Sequence, residues 1–262
     1  MAEAPSIELE RQGRIAVLTL NNPTKRNAFT PAMRVDLVAK MDGLNHDPEI
    51  RAVVLTGQGD HFCVGADLSS VGSSGPPVRL AMRERMKDVH QIFHGIAAAP
   101  KPYIAGIAGD AFGTGMSMAL ACDYLVAGPN ARFGTAFARI AGYPEMALAV
   151  TLARRVGEAR SKRLLMLCEH VRAPEALQIG LVDELVDKSA LEAACAYAQI
   201  LAAAAPMSLA YIKNIYADGI PGVAEMLRME ADCAPTLGGL SEDAREGVAA
   251  FREKREPNFT GR

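Results

Sequence analysis

The sequence predicts an α/β fold with a helical C-terminal region. Apolar runs typical of buried strands alternate with helical segments in the first half of the chain, whereas the second half carries mostly helical periodicity. The chain has 262 residues, of which 50% are hydrophobic, so it can bury a large core. We therefore expect an α/β core followed by a helical appendage.

Three apolar runs in the first half predict buried strands, at residues 14–20, 52–56 and 102–108. Helices are predicted at 31–44, with Thr30 as N-cap and Pro31 at the first helical position, and at 78–99, which two prolines end. Residues 61–64 are expected to be extended. The serine- and glycine-rich residues 69–77 predict a surface loop.

Residues 116–121 look like the first turns of a buried helix. Helical periodicity covers most of the second half, at residues 144–154, 159–167, 173–180, 190–204, 207–218, 223–232 and 242–252, with one short strand at 182–186. Pro144 and Glu145 suit the beginning of a helix, because proline fits the first helical position and glutamate complements the dipole in the first turn. From the local sequence alone, helix initiation is the ordinary function of this pair.

Composition argues against several classes of protein. The net charge of −2 and the lack of a basic run argue against nucleic-acid binding. The N-terminus lacks a signal-peptide pattern, and the apolar stretches are too short to span a bilayer. Five scattered cysteines without C-x-x-C spacing fit free thiols in a reducing cytosol, so we expect a cytoplasmic protein. Only His90 and His94 share a helix face, so no metal site is predicted.

Two glycine-rich corners follow apolar runs, at residues 62–68 and 111–116. The second corner opens a predicted helix, where backbone N–H groups are unpaired and the dipole favours negative charge. Two such corners that converge would form an oxyanion hole. From spacing alone, ordinary strand-to-helix turns remain the simpler interpretation.

Five segments, in order along nearly the whole chain, resemble the enoyl-CoA hydratase/isomerase (crotonase) family. They are Asn22-Pro-Thr-Lys-Arg-Asn27-Ala28 (N-P-x-x-x-N-A), residues 62–68 (F-x-A-G-A-D-L), Lys101-Pro102 with 111–115 and Cys122-Asp123 (K-P…A-x-G-G-G…C-D), residues 173–182 (A-x-E-A-x-x-x-G-L-V), and the terminal helix 241–255. Each motif is weak alone, but their common order identifies the chain as a member of this family.

The resemblance implies a crotonase-like superhelix of ββα units over residues 1–200 and a helical oligomerisation region over 201–262. It implies an acyl-CoA thioester as substrate and no separate cofactor, since coenzyme A is part of the substrate. The thioester carbonyl would lie between the N–H groups of Ala66 and Thr114. The family pattern further assigns substrate or CoA binding to Lys25, Arg26, Ala28, Asp67, Leu68, Gly113, Phe137, Pro144, Phe251 and Lys254, the last near a phosphate, within the subunit or across an interface.

The chain departs from the hydratases of this family at two positions. Their two catalytic glutamates fall on Ser117 and Phe137, neither of which is an acid. Because hydration needs proton donors and acceptors beside the double bond, this departure predicts weak or absent hydratase activity. Thr114 replaces the middle glycine of the family, which keeps the backbone donor but brings a side chain into the corner.

Residues 133–145 resemble the acid-bearing loop of peroxisomal-type Δ3,Δ2-enoyl-CoA isomerases, whose catalytic glutamate belongs to a Pro-Glu pair. The resemblance therefore implies that Glu145 is a single base. It would move a proton from C2 to C4 of a 3-enoyl-CoA, as in fatty-acid-type metabolism, while the oxyanion hole holds the dienolate.

Three further functions are compatible with the sequence. A hydratase-like lyase would need another residue to position water. An aromatic acyl-CoA dehalogenase or hydrolase would use the acid at Glu145, the aromatic Phe137 and the histidine His90, although His90 is also an ordinary polar residue of an amphipathic helix. A non-catalytic acyl-CoA binder would need no acid at Glu145.

We expect a homotrimer or a dimer of trimers, because the C-terminal helices and Lys254 resemble the family's assembly region. Sedimentation equilibrium at micromolar concentration measures the assembly directly. A monomer would contradict a CoA site that is shared between subunits.

Overall fold

A computed structural model of the protein describes residues 4–67, 78–217 and 219–262, with side chains for all of these except residues 78–81, 239 and 240. The strands described are β1 Ser6–Gln12, β2 Ile15–Asn21, β3 Ala52–Gly57, β4 Tyr103–Ile107, β5 Asp110–Phe112, β6 Tyr124–Ala127, β7 Arg132–Gly134, β8 Val171–Arg172 and β9 Glu184–Leu185. The helices described are α1 Pro31–His46, α2 Val78–Ala97, α3 Thr114–Ala121, α4 Leu148–Val156, α5 Glu158–Leu167, α6 Ala173–Gln178, α7 Ala190–Ala203, α8 Pro206–Ala217, α9 Val223–Pro235 and α10 Glu242–Glu253. The loop predicted at 69–77 lies outside these residues, as does Leu68.

Two sheets organise the described strands. The larger has the order β1-β2-β3-β4-β6-β9, in which β1 is antiparallel to β2 and all other neighbours are parallel. The smaller has the order β5-β7-β8. The chain passes from the larger sheet to the smaller and then into a helix, as in β4-β5-α3. Bridges from Cys63 to Ala111 and from Ala111 to Phe133 stack successive units, which is the repeated ββα arrangement that the resemblance implies.

The alternation of side chains along β2 decides which helices cover each face of the larger sheet. Ala16, Leu18 and Leu20 lie in the main core with buried residues of α1, α2 and α3, whereas Ile15 and Val17 lie in a second core against α7. The buried alanines of α7 recur every fourth residue, at Ala190, Ala194, Ala198 and Ala202. Such small side chains let the helix approach the sheet closely.

The structure confirms the strands predicted at 14–20, 52–56 and 102–108 and the N-cap of α1, where Thr30 accepts a hydrogen bond from the Met33 N–H at 3.2 Å. The helix predicted at 144–154 is confirmed only from Leu148 onward, and its predicted start at Pro144 is wrong. Pro144 and Glu145 lie in irregular backbone, and α4 begins at Leu148. Met146 and Ala147 have φ angles of 56° and 52°, in the left-handed region, which interrupts any right-handed helix there.

The sequence analysis missed β1 and the short strands β5 to β8. β1 is an edge strand with mostly exposed polar residues, so its hydrophobic alternation is faint. β5, β7 and β8 contain only two or three residues each, too few to show any periodicity. The strand predicted at 182–186 is shorter than expected, because only Glu184 and Leu185 pair with β6.

The C-terminal part of the described chain is helical. The boundary expected at residue 201 falls within α7, and α8, α9 and α10 follow. Among the described residues, no single helix is long and apolar enough to cross a membrane. The helices α7 and α8 reach the required length and composition only as a pair, and a bend of 111° separates them.

Asn27 anchors the segment between β2 and α1. Its side-chain oxygen accepts from the Asn22 N–H at 3.0 Å, and its Nδ2 donates to the carbonyls of Gln58 at 3.0 Å and His61 at 2.7 Å. The residue is 0% exposed and has a φ of 57°, a conformation that asparagine tolerates better than most residues. One side chain therefore fixes the N-P-x-x-x-N-A segment against the turn after β3.

We predict that Asn27→Ala lowers the free energy of unfolding by about 3 kcal/mol or more, because each buried polar group left without a partner costs roughly 1–3 kcal/mol. The exposed Asn130 provides the control, and Asn130→Ala should change stability by less than about 0.5 kcal/mol. Urea denaturation of both variants measures the difference. A loss below about 1 kcal/mol in Asn27→Ala would contradict the anchoring role.

Candidate active site

The two glycine-rich corners pack against each other at backbone contact. Cys63 forms a parallel bridge with Ala111, and the Phe112 N–H donates to the Cys63 carbonyl at 2.8 Å. A Cβ atom on Gly115 would overlap that same carbonyl, so only glycine fits at this position. Burial raises the pKa of the Cys63 thiol to about 12, which keeps it protonated and unreactive at neutral pH.

Ala66 and Thr114 lie at the facing ends of the corners. A Cβ built on Gly65 would be 3.6 Å from the Thr114 nitrogen, which shows how closely the corners approach. The neighbours of Ala66 pair with Phe29, through Phe29 N–H to the Gly65 carbonyl at 2.8 Å and Asp67 N–H to the Phe29 carbonyl at 3.0 Å. Within the described ranges, no acceptor is found for the N–H of Ala66 or Thr114, and both residues line one cavity.

This cavity has a volume of about 740 Å³ and lies between the corners, α2 and the irregular segment before α4. Of the residues predicted for the site, it is lined by Arg26, Ala66, Gly113, Thr114, Phe137 and Glu145. Its size suits a drug-sized or larger organic ligand. The structure thus brings together the candidate base, the candidate oxyanion hole and one aromatic wall.

Two buried acids line the described part of this cavity, Glu145 at 6% exposure and Asp110 at 1%. Nη2 of Arg85, on α2, lies 2.8 Å from Oε1 and 2.6 Å from Oε2 of Glu145. The Thr114 hydroxyl donates a further hydrogen bond to Oε1. The left-handed residues Met146 and Ala147 turn the chain immediately afterwards into α4.

Asp110 is the other carboxylate that lines the described part of the cavity, and both of its oxygens are bonded to basic residues. Arg132 donates to both of its oxygens, at 2.7 and 2.9 Å, and the Asp110 carboxylate in turn raises the pKa of Arg132. Arg26 lies 3.6 Å from Oδ2, and His61 lies 3.4 Å from it. This carboxylate holds charged neighbours in place, which leaves Glu145 as the acid beside the corners.

The two positions that correspond to hydratase acids have other surroundings. Ser117 is buried in α3, and its hydroxyl donates to the Gly113 carbonyl at 3.1 Å. Phe137 is half-buried and lines the cavity. Neither side chain can exchange a proton with a substrate double bond as a carboxylate would.

Several predicted residues lie away from the cavity within the described chain. Lys25 bonds Asp67 at 3.0 Å on the rim of the first corner, Ala28 is buried, and Pro144 is exposed. His90 is exposed on α2 and lies in a surface groove with His94, not in the cavity. Phe251 is 86% exposed on α10, and Lys254 caps that helix from an exposed position. Leu68 lies outside the described residues.

The cavity residues that the sequence analysis did not assign to the site include Arg85 and His170. Arg85 is one of several charged residues on α2, so its sequence neighbourhood does not distinguish it. His170 packs edge-on against Phe112, with ring centroids 4.8 Å apart. Across the described residues, no group of three or more histidine, cysteine, aspartate or glutamate side chains is arranged to hold a metal ion.

Comparisons of the sequence with a family model and with known proteins point to the same family. Residues 10–262 match the model of the enoyl-CoA hydratase/isomerase family. The chain is 34% identical over 260 residues to (E)-benzylidenesuccinyl-CoA hydratase of Thauera aromatica, with 97% of this chain and 99% of the relative covered. It is 34% identical over 253 residues to 1,2-epoxyphenylacetyl-CoA isomerase of Escherichia coli, with 95% of each covered.

The fold agrees with these sequence relatives. A crystal structure of an enoyl-CoA hydratase from Polaromonas sp. JS666 superimposes with a TM-score of 0.91 at 32% identity, covering 97% of this chain and 99% of that one. The superhelix of ββα units with a helical C-terminal region, predicted from the sequence, is therefore confirmed. By its sequence, its fold and its paired glycine-rich corners, this chain belongs to the enoyl-CoA hydratase/isomerase family.

Proposed function

We propose that this acyl-CoA enzyme isomerises 3-enoyl-CoA to 2-enoyl-CoA, with Glu145 as its single base. One observation carries the proposal. Glu145 is a buried carboxylate that lines the same cavity as Ala66 and Thr114, while the hydratase positions hold Ser117 and Phe137. The resemblance of residues 133–145 to the peroxisomal-type isomerases supports the same assignment.

In the proposed reaction, the thioester carbonyl accepts hydrogen bonds from the N–H groups of Ala66 and Thr114. Glu145 removes a proton from C2, and the electron pair of the C–H bond delocalises onto the thioester oxygen as a dienolate. Preorganised donors stabilise such an oxyanion more than they stabilise the ground-state carbonyl. Glu145 then returns the proton to C4, which leaves the double bond between C2 and C3 with no change in oxidation state.

The remaining binding assignments complete this proposal. Lys25 and Arg26, whose side chains are 55% and 60% exposed, would lie beside the nucleotide part of coenzyme A. Ala28 would lie beside the nucleotide with them, and Asp67, Leu68 and Pro144 would contact other parts of the acyl-CoA. Phe251 lies on α10 and Lys254 is its C-cap residue, and both are away from the cavity of their own chain. We propose that they serve the CoA site of a neighbouring subunit in a trimer or a dimer of trimers.

Hydration is the second candidate, because more of the similar relatives carry hydratase names than isomerase names. In that reaction Glu145 alone would have to activate water at C3 and supply the proton at C2. Phe137 presents an apolar wall where the second acid of a hydratase would lie, so Glu145 would have no second acid beside it to share these two steps. The geometry therefore favours a proton shuttle within the substrate over addition of water.

Dehalogenation and simple acyl-CoA binding have less support. A dehalogenase that uses His90 would need this histidine in the cavity, and its side chain instead lies in a surface groove on α2. A binder without catalytic activity would gain nothing from a carboxylate buried beside the corners, since burying a charge costs free energy that an ion pair offsets only in part.

We predict that Glu145→Gln lowers kcat for isomerisation of a 3-enoyl-CoA by about 10²- to 10⁴-fold, because it keeps the shape but removes the base. The dissociation constant for the substrate should change little. The exposed Glu158 serves as a matched control, since Glu158→Gln makes the same chemical change outside the cavity.

The same assays should include hydration of crotonyl-CoA, hydrolysis of acyl-CoA esters and thermal unfolding of each variant. We expect hydration to be slow or absent in the unmodified protein. Near-normal isomerisation by a folded Glu145→Gln variant, or efficient hydration by the unmodified protein, would contradict the proposal.

A further inference from the structure

The carboxylate of Glu145 is held from two sides by groups that belong to different helices. Arg85 of α2 reaches both oxygens through one nitrogen, and Thr114 of α3 bonds Oε1 through its hydroxyl. Thr114 is 4% exposed and Glu145 is 6% exposed. At this depth, the two donors determine the orientation of the carboxylate plane more than solvent does.

The two oxygens of the Glu145 carboxylate differ in the number of hydrogen bonds that they accept. An ionised carboxylate offers about four acceptor positions, two on each oxygen. Arg85 occupies one position on each oxygen, and Thr114 occupies the second position on Oε1. Within the described residues, the position that remains open is therefore on Oε2.

We propose that Arg85 and Thr114 are positioning residues, and that they make Oε2 of Glu145 the atom that carries the proton from C2 to C4. This inference rests on the proposed isomerase function. The C2–H bond breaks as the Oε2–H bond forms, and the Oε2–H bond later breaks as the C4–H bond forms. The electron pair passes through the thioester oxygen and back, so no oxidant, reductant or leaving group is required.

Thr114 has a double role in this inference. Its backbone N–H belongs to the oxyanion hole, and its hydroxyl bonds the base, so one residue links the two parts of the reaction. This gives a physical reason for threonine where the family has glycine. Glycine would supply the backbone donor but would leave Oε1 without its second hydrogen bond.

Thr114→Val tests the hydroxyl alone, since valine keeps the shape and the backbone N–H. With a 3-enoyl-CoA deuterated at C2, we expect kcat to fall roughly tenfold to a hundredfold, the range expected for a hydrogen bond to a charged group. KM should stay within about twofold, because substrate binding does not use the hydroxyl. The fraction of deuterium found at C4 of the product should also fall, because a carboxylate that rotates exchanges its proton with water.

Two further variants separate positioning from a purely structural role. Thr114→Ser restores the hydroxyl and should restore both kcat and the deuterium transfer. Arg85→Lys keeps the charge but loses the planar guanidinium and should lower both quantities. Arg83→Lys makes the same change on the exposed side of α2, outside the cavity, and should alter neither.

The outcomes distinguish this inference from the proposed function. If Glu145→Gln is inactive but folded Thr114→Val retains normal kcat and deuterium transfer, the positioning role is refuted and the isomerase function stands. If Glu145→Gln remains active, both are refuted. Should Thr114→Val fail to fold, Thr114→Ala provides the same test, and normal values in that variant refute the positioning role.

Discussion

The backbone contact between the two glycine-rich corners is the constraint on which the site depends. It exists because Gly115 lacks a Cβ that would overlap the Cys63 carbonyl, and because the chain at Cys63 bridges directly to Ala111. A larger residue at position 115 would push the corners apart. The N–H groups of Ala66 and Thr114 would then no longer face one small space, and an oxyanion hole is sensitive to such displacements.

The corners also determine where the base can act. Thr114 begins α3 at the contact, and its hydroxyl reaches Glu145 from the same residue that offers a backbone donor to the substrate. The left-handed turn at Met146 and Ala147 then leads the chain into α4, so Glu145 lies on a constrained segment and not within a helix. A buried carboxylate fixed in this way suits a reaction that moves one proton over a short distance.

The sequence predicts the long elements and the corners well, because each carries its own signal. The apolar run of β2, the N-cap Thr30 and the glycines of both corners are local features, and the structure has them where the pattern indicates. Arg85 could not be predicted in the same way. Its contact with Glu145 joins residues 60 positions apart, and no local pattern encodes such a pairing. The predicted helix start at Pro144 is wrong because Met146 and Ala147 adopt left-handed φ angles, which the local sequence does not indicate.

The central claim is that one glutamate moves a proton within the substrate. The most direct test follows hex-3-enoyl-CoA that carries deuterium at C2 through a single turnover, with the product analysed by NMR. The account predicts hex-2-enoyl-CoA with deuterium at C4, formed by the unmodified protein and not by Glu145→Gln. A 3-hydroxyacyl-CoA as the first product, or the same labelled product at an undiminished rate from Glu145→Gln, would contradict it.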